Sequence, residues 1–182
     1  KTGTNSVHKV TNNKSIKFNH ITCKVIKQIL GDEIFNSKTT FCFIRNPVEL
    51  VKSWYYYHKY NPRVSPSEGR LYYPDSIDDW VLQHNCKTHW QELKHKNKNP
   101  YWNTNESPLY QYNWITDDAG EIIVKEIYKF DNFNNVIKTK FNESINKNNQ
   151  SNKDDYELKD QTLKKLKKIF EKDIKIYNNL KF

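Results

Sequence analysis

The order of apolar and polar residues predicts strands and helices that alternate along the first third of the chain. Residues 39–44 form a largely apolar run, typical of a central strand in a parallel sheet, and residues 14–18 alternate as a short strand does. Apolar residues at helical spacing predict helices over residues 20–30 and from residue 47 to about 59. This order predicts an α/β fold whose strands are joined by right-handed crossovers.

The second half of the chain predicts shorter elements, and 182 residues fit a single domain. Ser76, followed by Asp78 and Asp79, predicts a capped helix over residues 76–83. The remaining predicted elements are a turn (117–120) between two strands (112–115 and 121–128), a short helix (133–141) and a long C-terminal helix (160–180).

The first seven residues combine the ingredients of a phosphate-binding loop. A glycine lets backbone amides turn toward an anion, hydroxyl side chains add donors, and a lysine supplies a cation. Such a loop normally links a buried strand to the N-terminus of the next helix, so we expect an apolar strand to precede it and to pair beside residues 39–44. The predicted cradle consists of Lys1, Thr2, Gly3, Thr4, Asn5, Ser6 and Val7.

A second motif follows the predicted central strand. Arg45 is the first residue after the strand, and Pro47 suits the first helical turn because its missing N–H needs no partner there. Ser53 lies two turns into that helix. Cofactors in parallel sheets bind at the carboxyl ends of the strands, and Lys1, His20 and Arg45 all fall at or just past predicted strand ends, so we expect them to converge there.

Together, the loop and the strand-Arg-Asn-Pro-helix-Ser motif resemble sulfotransferases that use 3′-phosphoadenosine 5′-phosphosulfate (PAPS), especially the carbohydrate-type enzymes called sulfotransferase family 2. The resemblance covers most of the chain outside residues 61–108. Asn5 stands where the family usually has Thr or Ser, and Lys-Phe-Asp at 129–131 replaces its Arg-Phe-Glu, so no role of that Arg or Glu is carried over. The other matching stretches are residues 19–22, 29–31, 111–112, 115–117, 120, 124–133 and the tail 155–177.

The resemblance implies a P-loop-like central parallel sheet flanked by helices, and transfer of a sulfuryl group from PAPS to an acceptor hydroxyl without a metal. The first loop would hold the 5′-phosphosulfate, while Arg45 and Ser53 would hold the 3′-phosphate. Lys1 would stabilise the leaving phosphate of the product, adenosine 3′,5′-bisphosphate (PAP). His20 would accept the proton of the acceptor hydroxyl near neutral pH.

A formal charge of +9 and a pI near 9.3 predict anionic partners. Arg makes up only three of the 30 basic residues, which argues against sequence-specific recognition of nucleic acid. Two other classes stay open: a P-loop nucleotide kinase or NTPase, and a non-enzymatic polyanion-binding module that uses Lys with Trp and Tyr. A kinase would normally have a strand ending in Asp, whereas Arg45 follows the best strand here.

Residues 61–108 are rich in loops, lie outside the matched motifs and are where we expect the acceptor to bind. Aromatic side chains among lysines suit a sugar ring that bears negative groups, because its C–H face can pack on an indole while the anions meet ammonium groups. We expect a carbohydrate hydroxyl, with a tyrosyl or small-molecule hydroxyl as the alternative. The residues concerned are Tyr72, Tyr73, Trp90, Tyr101 and Trp102, with Lys87, Lys94, Lys96 and Lys98.

A zinc site is the alternative interpretation of residues 61–108. His84, Cys86, His89 and His95 could supply ligands, but the spacing H-x-C-x₂-H fits no common pattern and structural zinc sites generally use more thiols. The three cysteines show no paired spacing, which argues against a disulfide framework and favours a reducing compartment such as the cytoplasm. No stretch is long and apolar enough to predict a membrane span.

Overall fold

The computed structural model describes residues 21–60, 73–87, 109–142 and 156–180. Within these ranges the protein is a mixed α/β structure, mostly helical, with a small parallel sheet, which confirms the predicted class at this level. The strands are β1 (Phe41–Ile44) and β2 (Glu126–Lys129), and a 3-10 turn (Phe130–Asn132) follows β2. The helices are α1 (Cys23–Leu30), α2 (Asp32–Ser37), α3 (Pro47–Tyr60), α4 (Ile77–Leu82), α5 (Tyr112–Ile115), α6 (Phe133–Phe141), α7 (Asp160–Ile169) and α8 (Glu171–Asn179).

β1 and β2 form a parallel pair in which Phe41 faces Glu126 and Ile44 faces Lys129. The pair begins where Glu126 N donates to Thr40 O at 3.1 Å. Because the two strands run in the same direction, their carboxyl ends lie side by side. The predicted central strand is thus present, two residues shorter at its start than expected.

The two faces of this sheet pack into different apolar clusters, because side chains alternate along a strand. Phe43 packs with Phe133 and Ile137 on one face, and the rings of Phe43 and Phe133 lie 4.8 Å apart. Ile44 packs with Ile115 and Val124 on the other face. The sheet therefore has α6 on one side and α5 on the other.

Among the described residues, the largest apolar cluster joins α3, α4 and α7. Tyr55 of α3, Trp80 of α4 and Leu166 of α7 are all buried in it. The Trp80 indole donates to Lys87 O at 2.8 Å, so the burial of its ring leaves no polar group unsatisfied. Burial of each large apolar side chain contributes about 1.5–3 kcal/mol, and this cluster therefore provides much of the stability.

A buried carboxylate, Asp78, fixes α7 to α4. Ser76 caps α4 as predicted, since its hydroxyl accepts from Asp78 N at 3.1 Å. The Asp78 carboxylate accepts from Tyr156 Oη at 2.6 Å, from Lys159 N at 3.2 Å and from the Thr162 hydroxyl. Burial alone would raise the pKa of Asp78, but these hydrogen bonds outweigh it and hold the pKa below its ordinary value.

Residues 112–115 form helix α5, and the strand predicted there is wrong. The amide of Tyr112 donates to the buried carboxylate of Asp173 at 2.8 Å, which satisfies one of the free N–H groups at a helix start and favours the helical turn. A single antiparallel bridge, between Thr116 and Ile122, is what remains of the predicted hairpin. The predicted turn itself is present, with Gly120 at a positive φ of 82°.

Two predicted helices have different limits in the structure. α1 begins at Cys23 rather than at residue 20, with Thr22 in the N-cap position, and Gly31 ends it as predicted. The predicted helix 160–180 is divided into α7 and α8 at Phe170, whose backbone leaves helical geometry (φ −106°, ψ 29°) while its ring is buried against Tyr110. None of the described helices is long and apolar enough to cross a membrane.

Candidate anion-binding site

Arg45 lies between the last residue of β1 and the first turn of α3. The side chain of Asn46 caps α3, because its Oδ1 accepts from Val48 N at 3.0 Å, and its carbonyl accepts from Leu50 N at 2.8 Å. Pro47 takes the first helical position, as predicted. Two regular elements therefore fix the backbone on either side of Arg45 at the carboxyl end of the sheet.

The Arg45 side chain is half-buried, and its guanidinium carbon lies 5.5 Å from the ring centroid of Phe130, a cation–π distance. Burial lowers the pKa of Arg45, and the carboxylates of Glu49 and Asp131 act in the opposite direction. A guanidinium nevertheless stays charged in a protein. No carboxylate of the described residues lies within ion-pair distance of it, so its N–H donors can serve an anionic ligand.

Ser53 is a half-buried residue on the second turn of α3. It lies one helical turn beyond Glu49, and residues four apart are neighbours on a helix surface. Glu49 is close enough to Arg45 to act on its pKa. Ser53 and Glu49 therefore lie on the same face of α3.

A second cation lies at the same end of the sheet. Lys129, the last residue of β2, is buried, and its Nζ is 5.1 Å from the ring centroid of Tyr177 in α8. The Tyr177 hydroxyl donates to Asp131, and burial together with this carboxylate raises the pKa of Tyr177 to about 12. The sequence alone did not assign Lys129 a role, since only the parallel register places it beside Ile44.

Gln111 bonds to both backbone polar groups of Arg45. Its Oε1 accepts from Arg45 N at 2.9 Å, and its Nε2 donates to Arg45 O at 2.8 Å. In the sequence, Gln111 is part of the family resemblance but has no predicted role. No local signal could reveal one, because the partners are 66 residues apart.

Most of the predicted site falls outside the described residues, and of its members the structure places Arg45 and Ser53. The members outside the described ranges are Lys1, Thr2, Gly3, Thr4, Asn5, Ser6, Val7 and His20. The described residues therefore include only the part of the site that is predicted to bind a 3′-phosphate.

The possible zinc constellation is only partly described, because His89 and His95 lie outside the described ranges. Among the residues that are described, no group of three potential metal ligands occurs. Cys86 is buried, and burial raises the pKa of its thiol to about 12.

Tyr73, predicted as part of an acceptor surface, belongs instead to the main apolar core. It is 5% exposed, and its hydroxyl accepts from the Trp54 indole at 2.8 Å. A ring enclosed in this way has no face for a sugar. The other aromatic residues of the predicted acceptor surface, Tyr72, Trp90, Tyr101 and Trp102, lie outside the described ranges.

Comparisons with known proteins give no match: neither a family model, nor a curated protein, nor a solved structure is significantly similar to this chain. Chemical assignments for this protein therefore depend on Arg45, its neighbours and the sequence motifs.

Proposed function

We propose that this protein is a PAPS-dependent sulfotransferase that transfers a sulfuryl group to an acceptor hydroxyl. The observation that carries the proposal is the state of Arg45, a half-buried cation at the carboxyl end of a parallel strand, with no carboxylate of the described residues paired to it. A guanidinium in this setting favours phosphate, because its charge-assisted hydrogen bonds to phosphate oxygens are strong and can form in pairs.

We assign β1 and β2 to a P-loop-like central sheet. In the described residues β1 pairs with β2 on one side, and we propose that a further strand pairs along its other edge before Arg45, whose backbone groups bond to Gln111. A strand leading into residues 1–7 would end there at the carboxyl side of the sheet. The amides of that loop would then face the same ligand as Arg45.

PAPS would bind with its 3′-phosphate on Arg45 and the Ser53 hydroxyl, and with its 5′-phosphosulfate on residues 1–7. In the transfer, the acceptor oxygen attacks sulfur, a new S–O bond forms, and the bond from sulfur to the phosphate oxygen breaks. His20 takes the proton of the acceptor hydroxyl, and Lys1 neutralises the charge that remains on PAP. Positioning and fixed positive charge supply most of the acceleration, as in phosphoryl transfer.

The change in Tm on addition of different ligands distinguishes this proposal from its alternatives. A ligand that binds the folded state raises Tm by mass action, so PAP and PAPS should stabilise the protein far more than adenosine 5′-phosphate, which lacks the 3′-phosphate. ATP with magnesium tests the kinase alternative, and a sulfated polysaccharide tests the polyanion-binding module. A rise in Tm with either of these, and none with PAP, would overturn the sulfotransferase proposal.

We propose a carbohydrate hydroxyl as the acceptor. Support comes from the aromatic and lysine residues within 61–108 and from the net charge of +9, which favours an acidic glycan. Radiolabelled PAPS should be tested with neutral glycans, acidic glycans, phenols and tyrosine peptides. We expect label in the acidic glycans, with transfer that weakens as salt screens the lysines. Transfer to phenols alone, independent of ionic strength, would exclude the glycan.

A further inference from the structure

The side chain of Gln111 forms a closed pair of hydrogen bonds with the backbone of Arg45. The two bonds measure 2.9 Å to the amide and 2.8 Å from the carboxamide nitrogen to the carbonyl. Gln111 is only 8% exposed, so water competes little for these bonds. The carboxamide thus provides one acceptor and one donor, which is what a neighbouring strand would give to this residue.

These bonds lie on the edge of β1 that faces away from β2. Thr40 O accepts from Glu126 N on the β2 side, and successive residues of a strand direct their polar groups to alternate edges. Arg45, five residues further on, therefore directs its polar groups to the opposite edge. Since β1 ends at Ile44, the carboxamide holds the chain one residue beyond the last strand residue.

Gln111 is itself fixed by the start of α5. Its carbonyl accepts from Trp114 N at 3.0 Å. The next residue, Tyr112, donates its amide to Asp173 Oδ1 at 2.8 Å, and Asp173 in the first turn of α8 is 1% exposed. Part-buried hydrogen bonds thus connect α8, through Tyr112 and Gln111, to the backbone of Arg45.

We propose that Gln111 is a positioning residue that acts through Arg45 and sets the preference for nucleotides with a 3′-phosphate. This inference rests on the proposed function. Gln111 fixes the backbone from which the guanidinium extends, and a hydrogen bond weakens steeply when its angle departs from linearity. Without the carboxamide the cation remains but its direction varies, so binding of the 3′-phosphate weakens while the remainder of the nucleotide binds as before.

A double-mutant cycle tests this role by calorimetric titration with PAP and with adenosine 5′-phosphate. Gln111→Met removes both hydrogen bonds at nearly constant side-chain volume, and we expect it to raise the Kd of PAP roughly 10-fold. The Kd of adenosine 5′-phosphate should change less than about 2-fold, and in an Arg45→Ala background Gln111→Met should also change PAP binding less than about 2-fold. Gln83→Met is the matched control, since Gln83 is exposed and bonds only to Asp79 at 3.1 Å among the described side chains.

A purely structural role would give a different result. Equal losses for both nucleotides, or the same loss of PAP affinity with and without Arg45, would overturn the positioning role. If Gln111→Met does not fold, Gln111→Glu keeps the acceptor for Arg45 N, and we expect a smaller but PAP-selective loss; no selectivity would overturn the role.

Titration of the parent protein with PAP distinguishes a failure of this inference from a failure of the proposed function. If the parent does not bind PAP, the proposed function fails and the role of Gln111 fails with it. If the parent binds PAP, Arg45→Ala weakens that binding about 100-fold and Gln111→Met leaves it unchanged, then the role of Gln111 alone is wrong.

Discussion

Asp78 and Arg45 are both charged side chains withdrawn from water, and the protein surrounds them in opposite ways. Asp78 is fully buried and accepts hydrogen bonds from Tyr156, Lys159 and Thr162. Arg45 is half-buried and has a ring beneath it but no paired carboxylate among the described residues. Burial of a charge costs free energy unless partners compensate, so the carboxylate stabilises the fold and the guanidinium is suited to a ligand.

Asp78 and Arg45 also differ in how they relate to the helix start that each lies near. Asp78 accepts from Lys159 N at the N-cap of α7, so this acid acts on the positive end of that helix. Arg45 precedes α3, whose cap is provided by Asn46. An anion bound by Arg45 would therefore gain from the helix dipole of α3 as well as from the guanidinium.

The largest predicted effect is the loss of stability when the buried carboxylate of Asp78 is removed. Asp78→Ala leaves three donors without their partner and should lower the free energy of unfolding by roughly 3 kcal/mol, measured by urea unfolding at pH 7. Asp79→Ala on the same helix is the control and should cost less than about 1 kcal/mol, because its bond to Gln83 is exposed. Similar losses for the two variants would contradict the special role of Asp78.

The same carboxylate should make the free energy of unfolding depend on pH in the acid range. Its native pKa lies below the ordinary value of 3.8, so the ionised form stabilises the fold fully above that value, and this stabilisation is lost as pH falls through the native pKa. Asp78→Asn cannot titrate, and the difference in unfolding free energy between parent and variant should shrink as pH falls from 5 to 3. Urea unfolding across this range measures it. A difference that is constant with pH would show that the charge of Asp78 does not matter.

Replacing Ser53, which we propose binds the ligand, should show the reverse pattern, with affinity lost and stability retained. Ser53→Ala would remove the proposed hydrogen bond to the 3′-phosphate and should weaken PAP binding roughly 5-fold. The free energy of unfolding should change by less than about 0.5 kcal/mol. Ser37→Ala is the control, because the Ser37 hydroxyl is exposed and donates to Ile34 O at 2.8 Å within α2. Unchanged PAP affinity in Ser53→Ala would remove Ser53 from the site.

The smallest effect concerns the acid beside Arg45. Glu49→Gln removes a negative charge that would repel the 3′-phosphate, and PAP should bind about 2-fold more tightly at low salt. Added salt should reduce the gain by screening. Glu171→Gln is the matched control at an exposed pair with Lys175. Weaker PAP binding in Glu49→Gln would mean that Glu49 orients Arg45 instead of competing with the ligand.

Elements that carry their own boundary signals were predicted from the sequence. Pro47 and Ser76 mark the starts of α3 and α4, because a missing N–H and a hydroxyl acceptor act within a single helical turn. Helix α6 has the predicted limits, and Gly31 ends α1 as expected. These signals are local, and so the pattern of one sequence is enough to show them.

Features that depend on distant partners were not predicted. Residues 112–115 are helical because Asp173 meets the amide of Tyr112, and Gln111 reaches Arg45 across 66 positions. The sequence shows the spacing within each segment but not which segments meet. Arg45 and Ser53 could be proposed together because they belong to one strand-helix motif, and their roles stay predictions.

Binding of PAP to the parent and to Arg45→Ala tests most directly whether Arg45 holds a 3′-phosphate. Calorimetric titration should give an increase in the Kd of PAP of about 100-fold in the variant, because the phosphate loses its charge-assisted partner. Adenosine 5′-phosphate should bind both proteins equally, and their Tm values should agree. Arg45→Ala that binds PAP as tightly as the parent would contradict the assignment of this site.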